Sequence, residues 1–488
     1  MTYRALVTPD EFRRHGYELI DLVADYLEHT DERRIVPAIE PGDVRAMLPE
    51  HPPDAPEPWE AVRRDLDEIV LPTIAHWQHP GWMAYFPCNN SYPSILAELL
   101  SAGLGVQGMS WVTSPACTEL ETLMLDWMQE LLGLPDRYRS TSEHGGGVIQ
   151  GSASEATLVA ILAARWRATA GNVNATGDTS RLTAYTTSQA HSSVEKGLRI
   201  AGIGTDRLRI VDHDERFAMR PAALAAAIEA DVQGGYVPCI VSANLGTTSS
   251  MGFDPLPEIS TICSDRGVWL HADAAMAGVA ALAPELRWVN AGVDGADSYC
   301  TNPHKWMGIN FDCTVFWTAD RPALLGALSI LPEYLRSAAA EDGAAIDYRD
   351  WQVPLGRRFR ALKLWFALRL DGVEEIAGRL RDDVALTQEL AGWIADDDRF
   401  EIVVPHRLNL LCVRVAADDP ASGDAATDDL IESINRSGRF HVNRTVLAGR
   451  SVLRLSIGAT TTAHRHVAAL WDLMRATVDR TAATSASG

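Results

Sequence analysis

The segment "GGGVIQGSASEATLVAILAAR", residues 145–165, joins a glycine-rich turn to a helical pattern. Ser152 is followed three residues later by Glu155, the spacing of a capping box, so we expect a helix to begin at about Ala153. The free amides and positive dipole end of such a helix attract anions, and the small residues around Ser152 allow a phosphate to approach. A capping box is also a common structural feature. The glycine spacing matches neither a Walker motif nor G-x-G-x-x-G, so nucleotide binding is not favoured.

This segment belongs to a longer region, from about residue 90 to 320, in which apolar runs alternate with helical patterns. Helical segments such as 154–168 and 255–265 separate short apolar runs that suit buried parallel strands. This order predicts a doubly wound, mostly parallel α/β sheet, whose ligands bind beyond the carboxyl ends of the strands. The apolar runs are "LTAYTT" (182–187), "VPCIVSA" (237–243), "GVWLHAD" (267–273) and "CTVFWTA" (313–319).

The segments on either side predict an arm and a smaller domain. Residues 9–30 have the pattern of an amphipathic helix, and a proline-rich connector follows at 48–59. A helix is expected at 357–370, before a shorter α+β stretch, and residues 335–348 are expected to form a mobile loop. We therefore predict an N-terminal helical arm packed on a partner subunit (1–88), a large domain (89–375), a small C-terminal α+β domain (376–480) and a disordered tail (481–488).

Composition excludes several classes of partner. The net charge of −22 argues against nucleic acid or an anionic membrane. The seven cysteines form no C-x-x-C pair, which suits reduced thiols better than a disulfide framework or a structural zinc site. The sequence shows no signal-peptide pattern and no run of membrane-spanning length, so we expect a cytoplasmic protein.

Three further residues could carry chemistry. Lys305 lies among apolar residues in "CTNPHKWMGINFDC" (300–313), where it could snorkel or act as a desolvated nucleophile that forms Schiff bases. Asp273 ends an apolar run, where it could pair with an arginine, cap a helix or bind a metal with His271. His191 could be a hydrogen-bonded loop histidine, or an imidazole that stacks on a planar ligand and moves protons.

Together these features match the contacts that pyridoxal 5'-phosphate requires. The cofactor needs a phosphate cup, a carboxylate for its protonated ring nitrogen, a stacking plate and an imine-forming lysine. Each feature alone is weak, but their presence in one α/β chain predicts this cofactor, without a metal.

The motifs of the chain closely resemble those of the aromatic-L-amino-acid decarboxylases, the group II pyridoxal-phosphate decarboxylases. The resemblance extends from about residue 8 to 475. It implies the PLP-dependent transferase fold type I, which is aspartate-aminotransferase-like, and an obligate homodimer with shared active sites. It also implies decarboxylation of an aromatic L-amino acid to an arylalkylamine. The matching motifs are "NPHKW" (302–306), "HADAA" (271–275), "GSASEATLVA" (151–160), "QAHSS" (189–193), "SPACTELE" (114–121), "HWQHP" (76–80) and "PLGRRFRALKLW" (354–365).

The resemblance also implies roles for individual residues. Lys305 would form the Schiff base, Asp273 would pair with the ring nitrogen and His191 would stack on the ring. Tyr334, in a mobile loop, would protonate the substrate carbon with His191 behind it. The other implied cofactor contacts are Ser152, Ala153, Ser154, Thr247, Ala275, Asn302 and His304. The implied substrate contacts are Trp77, Tyr85, Phe86, Pro87, Cys88 and Arg454, with Gln107, Met109, Leu355 and Gly356 entering from the other subunit.

The chain departs from the animal enzymes on the substrate side. Cys88, Gln107, Met109 and Met276 replace the usual residues, so the sequence does not fix which aromatic amino acid is preferred. Gly356 leaves room for an indole, which hints at tryptophan-like substrates.

Three other functions compete with decarboxylation. Related aldehyde synthases use oxygen to deaminate the substrate after decarboxylation, and they typically have phenylalanine for the loop tyrosine or lack the stacking histidine. Tyr334 and His191 therefore favour simple decarboxylation here. The remaining alternatives are a metal-dependent hydrolase built on His271 and Asp273 and a cofactor-binding protein without catalysis.

Overall fold

Two β-sheets organise the chain. A computed structural model describes residues 7–330 and 345–485, with side chains up to residue 480. The strands are β1 (Gly146–Gln150), β2 (Leu182–Thr187), β3 (Leu208–Val211), β4 (Val237–Asn244), β5 (Trp269–Asp273), β6 (Ser298–Thr301), β7 (Thr314–Thr318), β8 (Phe400–Ile402), β9 (Leu410–Val415), β10 (Asn443–Leu447) and β11 (Arg450–Ser456). The larger sheet has the order β1-β7-β6-β5-β4-β2-β3, and the smaller sheet has the order β10-β11-β9-β8.

The larger sheet is mostly parallel, which confirms the predicted fold class. Strands β3, β2, β4, β5 and β6 run parallel to one another. Strand β7, however, is antiparallel to both β6 and β1, so the expectation of a parallel strand at 313–319 is wrong. A parallel connection needs a crossover, usually a full helix, whereas the link from β6 to β7 contains only the four-residue helix Pro303–Trp306. The chain therefore reverses there, and this turn carries Lys305.

Helices cover the larger sheet and form the flanking segments. The α-helices are α1 (Pro9–Glu28), α2 (Asp43–Met47), α3 (Trp59–Asp65), α4 (Leu71–Thr73), α5 (Tyr92–Leu104), α6 (Pro115–Leu131), α7 (Ala153–Ala168), α8 (Val173–Thr176), α9 (Ser193–Ile200), α10 (Pro221–Gln233), α11 (Leu256–Arg266), α12 (Pro303–Trp306), α13 (Arg321–Leu328), α14 (Ala361–Leu370), α15 (Val373–Ala395), α16 (Pro420–Arg436) and α17 (His464–Ser485). Every residue of β1, β2, β5, β6 and β7 is buried, which explains why β2, β5 and β7 appear in the sequence as largely apolar runs.

Helix α14 begins later than its sequence pattern predicts. The apolar pattern starts at residue 357, but the helix starts at Ala361. The side chain of Arg357 is buried and pairs with Glu121 at 2.6 Å, while its backbone N–H donates to Gln107. These contacts hold the first residues of the motif outside the helix.

The smaller sheet has a hydrophobic core of its own. Leu411, Val413, Leu453 and Leu455 are completely buried in a cluster separate from that of the larger sheet. Helices α15, α16 and α17 pack against this sheet or one another. Helix α17 extends to Ser485, into the segment predicted as a tail, and residues 486–488 lie outside the described residues.

Part of the predicted mobile loop, including Tyr334, also lies outside the described residues. Among the helices that are described, none combines the length and the apolar character that crossing a membrane requires.

Candidate active site

One cavity gathers all the residues that the sequence predicts as cofactor contacts. It has a volume of about 220 Å³ and lies where β4, β5 and β6 end, beside the start of α7. This is the position expected for a ligand of a mostly parallel sheet. The predicted contacts that line it are Ser152, Ala153, Ser154, His191, Thr247, Asp273, Ala275, Asn302, His304 and Lys305.

The first turn of α7 forms one wall of the cavity. The Ser152 hydroxyl accepts a hydrogen bond from the Glu155 amide at 3.2 Å, as the capping pattern predicts. The Glu155 carboxylate accepts from the Gly151 amide at 3.1 Å instead of from Ser152, so the box is only half formed. Because the first amides of a helix have no partner within it, those of Ala153 and Ser154 are suited to bind an anion in the cavity.

Lys305 places an amine in the same cavity. Its backbone is held on both sides, since its N–H donates to Asn302 at 3.0 Å and its carbonyl accepts from Asn89 at 3.3 Å. The ammonium lies 5.1 Å from the centroid of the Phe86 ring. Burial lowers the pKa of Lys305, and the negative charge of Asp273 opposes that shift. More of the amine is therefore neutral, and hence nucleophilic, than in an exposed lysine.

Asp273 supplies a carboxylate at the end of β5. Its Oδ1 accepts hydrogen bonds from the Ala275 amide at 3.0 Å and from the Cys300 thiol at 3.8 Å. In the described part of the chain these contacts take the place of the arginine partner that the sequence left open. The side chain lies in the cavity lining and is 8% exposed, so the carboxylate is positioned to bind a cationic group there.

His191 lies at the edge of the cavity, after β2. Its Nδ1 accepts from the Ser193 amide at 3.2 Å and lies 3.0 Å from the Ser193 hydroxyl. With Nδ1 as an acceptor, the neutral ring carries its proton on Nε2. Burial lowers the pKa of His191, Asp273 raises it and Lys305 lowers it further. The residue remains exposed to solvent in this chain, and its partial desolvation makes the ring more readily neutral than that of a free histidine.

The hypothesis of a metal site on His271 and Asp273 finds no additional ligands among the described residues. Across residues 7–330 and 345–485, no three His, Cys, Asp or Glu side chains form a group that could hold a metal ion. His271 is completely buried, and this burial lowers its pKa to about 4.

The predicted substrate residues fall into two groups. In the first group, Phe86 lines the cavity. The guanidinium of Arg454 lies 4.6 Å from the centroid of the Phe86 ring. Burial lowers the pKa of Arg454 to about 10, and its Nε donates to the Thr248 carbonyl at 2.6 Å. Trp77 and Tyr85 stack with a centroid distance of 5.6 Å and are more exposed. Pro87 and Cys88 follow Phe86, and burial raises the pKa of the Cys88 thiol while Lys305 lowers it.

The second group includes Gln107, Met109 and Gly356, which lie near one another around Arg357. Gln107 Oε1 accepts from the Arg357 amide at 2.6 Å, and a Cβ on Gly356 would lie 3.4 Å from Gln107 Nε2. The Met109 carbonyl accepts from the Arg349 amide at 3.0 Å, and Leu355 is exposed. These residues are outside the described lining of the cavity in their own chain, and their entry into a partner's cavity stays a prediction.

Comparison with known families favours pyridoxal-phosphate chemistry over a metal-dependent hydrolase. The model of the Pyridoxal-dependent decarboxylase conserved domain matches residues 41–416. The chain belongs to the pyridoxal-dependent decarboxylase family. This membership makes it a carboxy-lyase with pyridoxal 5'-phosphate as cofactor, as the sequence predicts.

Individual members of this family match almost the whole chain. Aromatic-L-amino-acid decarboxylase of Bos taurus is 44% identical, covering 95% of this chain and 95% of its own. Phenylacetaldehyde synthase of Arabidopsis thaliana is 40% identical, covering 96% of this chain and 95% of its own. The crystal structure of Oryza sativa TDC with PLP and tryptamine matches with a TM-score of 0.94 at 35% identity, covering 98% of this chain and 100% of that one. The predicted resemblance and fold type are thereby confirmed.

The cavity of this decarboxylase-family chain suits the cofactor chemically. The chain has lysines only at 196, 305 and 363, and Lys305 is the one in the lining. Helix amides for a phosphate, a carboxylate for a ring nitrogen and an amine for an aldehyde all face one space. The donor set therefore fits pyridoxal 5'-phosphate.

The structure adds lining residues that the sequence reasoning missed. Asn244, Gly246 and Thr248 lie in the cavity wall. The amide group and backbone N–H of Asn244 donate to the buried Asp254 carboxylate at 3.3 and 2.7 Å, which fixes the orientation of the side chain. Gly246 has a φ of 92°, and a Cβ there would lie 2.8 Å from that of Ala277. A polar residue directly after "VPCIVSA" was the available signal for Asn244.

Proposed function

We propose that this chain decarboxylates an aromatic L-amino acid to the corresponding arylalkylamine and CO₂. The candidate substrates are tryptophan, 5-hydroxytryptophan, phenylalanine, tyrosine and dopa. The observation that carries the proposal is the single cavity containing Lys305, Asp273, His191 and the start of α7. The match to the Bos taurus enzyme over 95% of the chain supports the aromatic substrate class.

The residues of the cavity have separate tasks in this proposal. The amides of Ala153 and Ser154, with Ser152 and Thr247, would bind the phosphate, and Lys305 would attach the cofactor through its amine. Asp273 would keep a proton on the cofactor's ring nitrogen. When bound, pyridoxal phosphate supplies an electron sink for the electron pair left as CO₂ departs.

Three further residues would transfer protons or bind the substrate carboxylate. His191 has its Nδ1 occupied by Ser193, which leaves Nε2–H as the atom that can transfer a proton. Tyr334 would donate the proton that the substrate carbon takes up. Arg454, with a pKa lowered only to about 10, stays cationic beside Phe86 and favours a substrate carboxylate nearby.

We further propose that the protein is a homodimer with shared active sites. Helix α1 buries none of its residues, and an apolar groove of about 850 Å³ lies between α1 and α5. A second copy would cover this surface and bring the Gln107 and Gly356 group to the partner's cavity. The division into arm, large domain and small domain is part of the same proposal, supported by the separate core of the smaller sheet.

A cytoplasmic location is also proposed. All seven cysteines are free thiols, and all but Cys88 are buried. Free thiols are typical of proteins in reducing compartments.

A product assay tests the function directly. The purified protein loaded with pyridoxal phosphate is incubated in air with each of the five amino acids, and products are identified by mass. Amine without aldehyde or peroxide supports the proposal and names the substrate. Aldehyde with ammonia and peroxide would replace it by the aldehyde synthase function, which the Arabidopsis thaliana relative keeps as the second candidate.

Replacing Tyr334 with Phe is expected to divert product from amine to aldehyde. The variant lacks the hydroxyl that would protonate the substrate carbon, so oxygen can compete for it. The amine-to-aldehyde ratio measured by mass is the readout. Tyr236→Phe is the matched control, because Tyr236 contacts Arg207 and is outside the described cavity lining. An unchanged ratio in the Tyr334→Phe enzyme would remove Tyr334 from the proton-transfer step.

A further inference from the structure

A layer of polar side chains continues below the cavity floor. In the sheet register, Asp273 is flanked by Asn244 of β4 and Cys300 of β6. Two residues earlier on β5, His271 pairs in register with Ser298 of β6. Neighbouring residues in register share a face of the sheet, and residues two apart on one strand do so as well. Asp273, His271, Ser298 and Cys300 therefore lie on one face.

These side chains are joined in an unbroken series of contacts. Trp269 Nε1 donates to Ser298 Oγ at 2.8 Å, and Ser298 Oγ lies 2.9 Å from His271 Nδ1. His271 Nε2 lies 3.9 Å from Cys300 Sγ, and Cys300 Sγ lies 3.8 Å from Asp273 Oδ1. Trp269, Ser298, His271 and Cys300 each have 0% relative exposure. We call these four residues the donor series.

The chemistry of the two ends favours hydrogen bonds that run from Trp269 toward Asp273. An indole N–H can only donate, and an ionised carboxylate can only accept. Ser298 Oγ accepts from Trp269 and keeps its own hydrogen, which it can donate to His271 Nδ1. His271 then carries its proton on Nε2 and donates to Cys300.

The last link of the donor series also has a preferred direction. Cys300 has a single hydrogen, and the charge of Asp273 attracts it more strongly than a neutral imidazole nitrogen does. Every hydrogen in the series therefore points toward Asp273.

The protonation states required by this arrangement are those that burial favours. Burial lowers the pKa of His271 to about 4, so the ring is neutral and can both accept and donate. Burial raises the pKa of Cys300 well above its usual range, and Asp273 raises it further, so the thiol keeps its hydrogen. Successive hydrogen bonds that point the same way also polarise one another.

We propose that Ser298, His271 and Cys300 are positioning residues that act through Asp273 to keep the shared proton on the cofactor's ring nitrogen. A donor directed at the carboxylate stabilises its negative charge, and that charge attracts the N–H of the ring. The proton then stays on the ring. The inference rests on the proposed pairing of Asp273 with the ring nitrogen, and it does not depend on which amino acid is the substrate.

The test uses the holoenzyme loaded with pyridoxal phosphate that carries ¹⁵N in its ring. In Cys300→Ala the ring ¹⁵N resonance is expected to move toward that of an unprotonated pyridine. The Kd for the cofactor is expected to rise roughly fivefold, because the ion pair between Asp273 and the ring nitrogen is weakened. Cys300→Ser keeps a donor and should restore both values. Cys263→Ala is the matched control, since Cys263 is a buried thiol of α11 and should leave both values unchanged.

Two outcomes would overturn the proposal. If Cys300→Ala weakens cofactor binding while the ring ¹⁵N resonance stays in place, the thiol only fills space. If ¹⁵N spectra of labelled histidine, assigned by the signal lost in His271→Asn, show the proton of His271 on Nδ1, the direction of the series is wrong.

A second variant covers the case in which Cys300→Ala does not fold. Ser298→Ala removes an earlier link and should move the ring ¹⁵N resonance in the same direction by a smaller amount. An unmoved resonance in this variant counts against the proposal. Failure of all five amino acids in the product assay, with the ¹⁵N shifts as expected, would refute the proposed function and leave this inference standing.

Discussion

Lys305→Ala is expected to lower kcat by about three orders of magnitude or more, because it removes the amine that would attach the cofactor. Lys305 is the lysine in the described cavity lining, and its lowered pKa makes the amine nucleophilic. The variant should also lose the visible absorbance of covalently bound cofactor and retain pyridoxal phosphate poorly. Absorbance spectra and steady-state kinetics measure these effects.

The attachment point can be located independently of activity. Borohydride reduction of the loaded wild-type protein should fix the cofactor on the peptide that contains Lys305, as identified by mass. Lys196→Ala is the matched control, since Lys196 is exposed on α9 and should leave the absorbance and kcat unchanged. A covalent absorbance band that survives in Lys305→Ala would move the attachment to Lys196 or Lys363 and refute the assignment.

The residues predicted for the cofactor side could be picked out because each follows a local rule, and they line one cavity, although their roles stay predictions. Ser152 caps a helix, Asp273 ends a strand and Lys305 lies in a tight turn, and each leaves a pattern within a few neighbouring residues. The carboxyl ends of adjacent strands converge in space, so those local features meet in one cavity.

The features that the sequence missed depend on pairing between distant segments. Strand β7 pairs with β1, which lies far earlier in the chain, and this pairing leaves no local pattern in the sequence. The role inferred for Cys300 depends on its register with Asp273, and a cysteine in an apolar run shows no sign of it. The substrate side of the cavity is still harder to predict from the sequence, because the proposed site needs residues such as Gln107 from a second subunit.

Asp273→Asn is expected to reduce kcat about a hundredfold to a thousandfold, the usual effect of losing one well-placed electrostatic contact. The amide has nearly the shape of the carboxylate, and its oxygen can still accept from the Ala275 amide. The charge that would hold a proton on the cofactor's ring nitrogen is lost. The ring should then be mainly neutral and a poorer electron sink, so catalysis falls while packing is largely preserved.

Three measurements on Asp273→Asn distinguish the loss of the negative charge from a loss of folded structure. Steady-state kinetics give kcat, the ring ¹⁵N resonance reports the proton, and thermal unfolding reports stability. Asp231→Asn is the matched control, because Asp231 is a buried carboxylate that pairs with Arg209 and Tyr185 and is outside the described cavity lining. That control should lower the thermal stability and leave the ¹⁵N resonance unchanged. A kcat in Asp273→Asn close to wild type would mean that decarboxylation here does not require a protonated ring, and the donor series would then have no catalytic consequence.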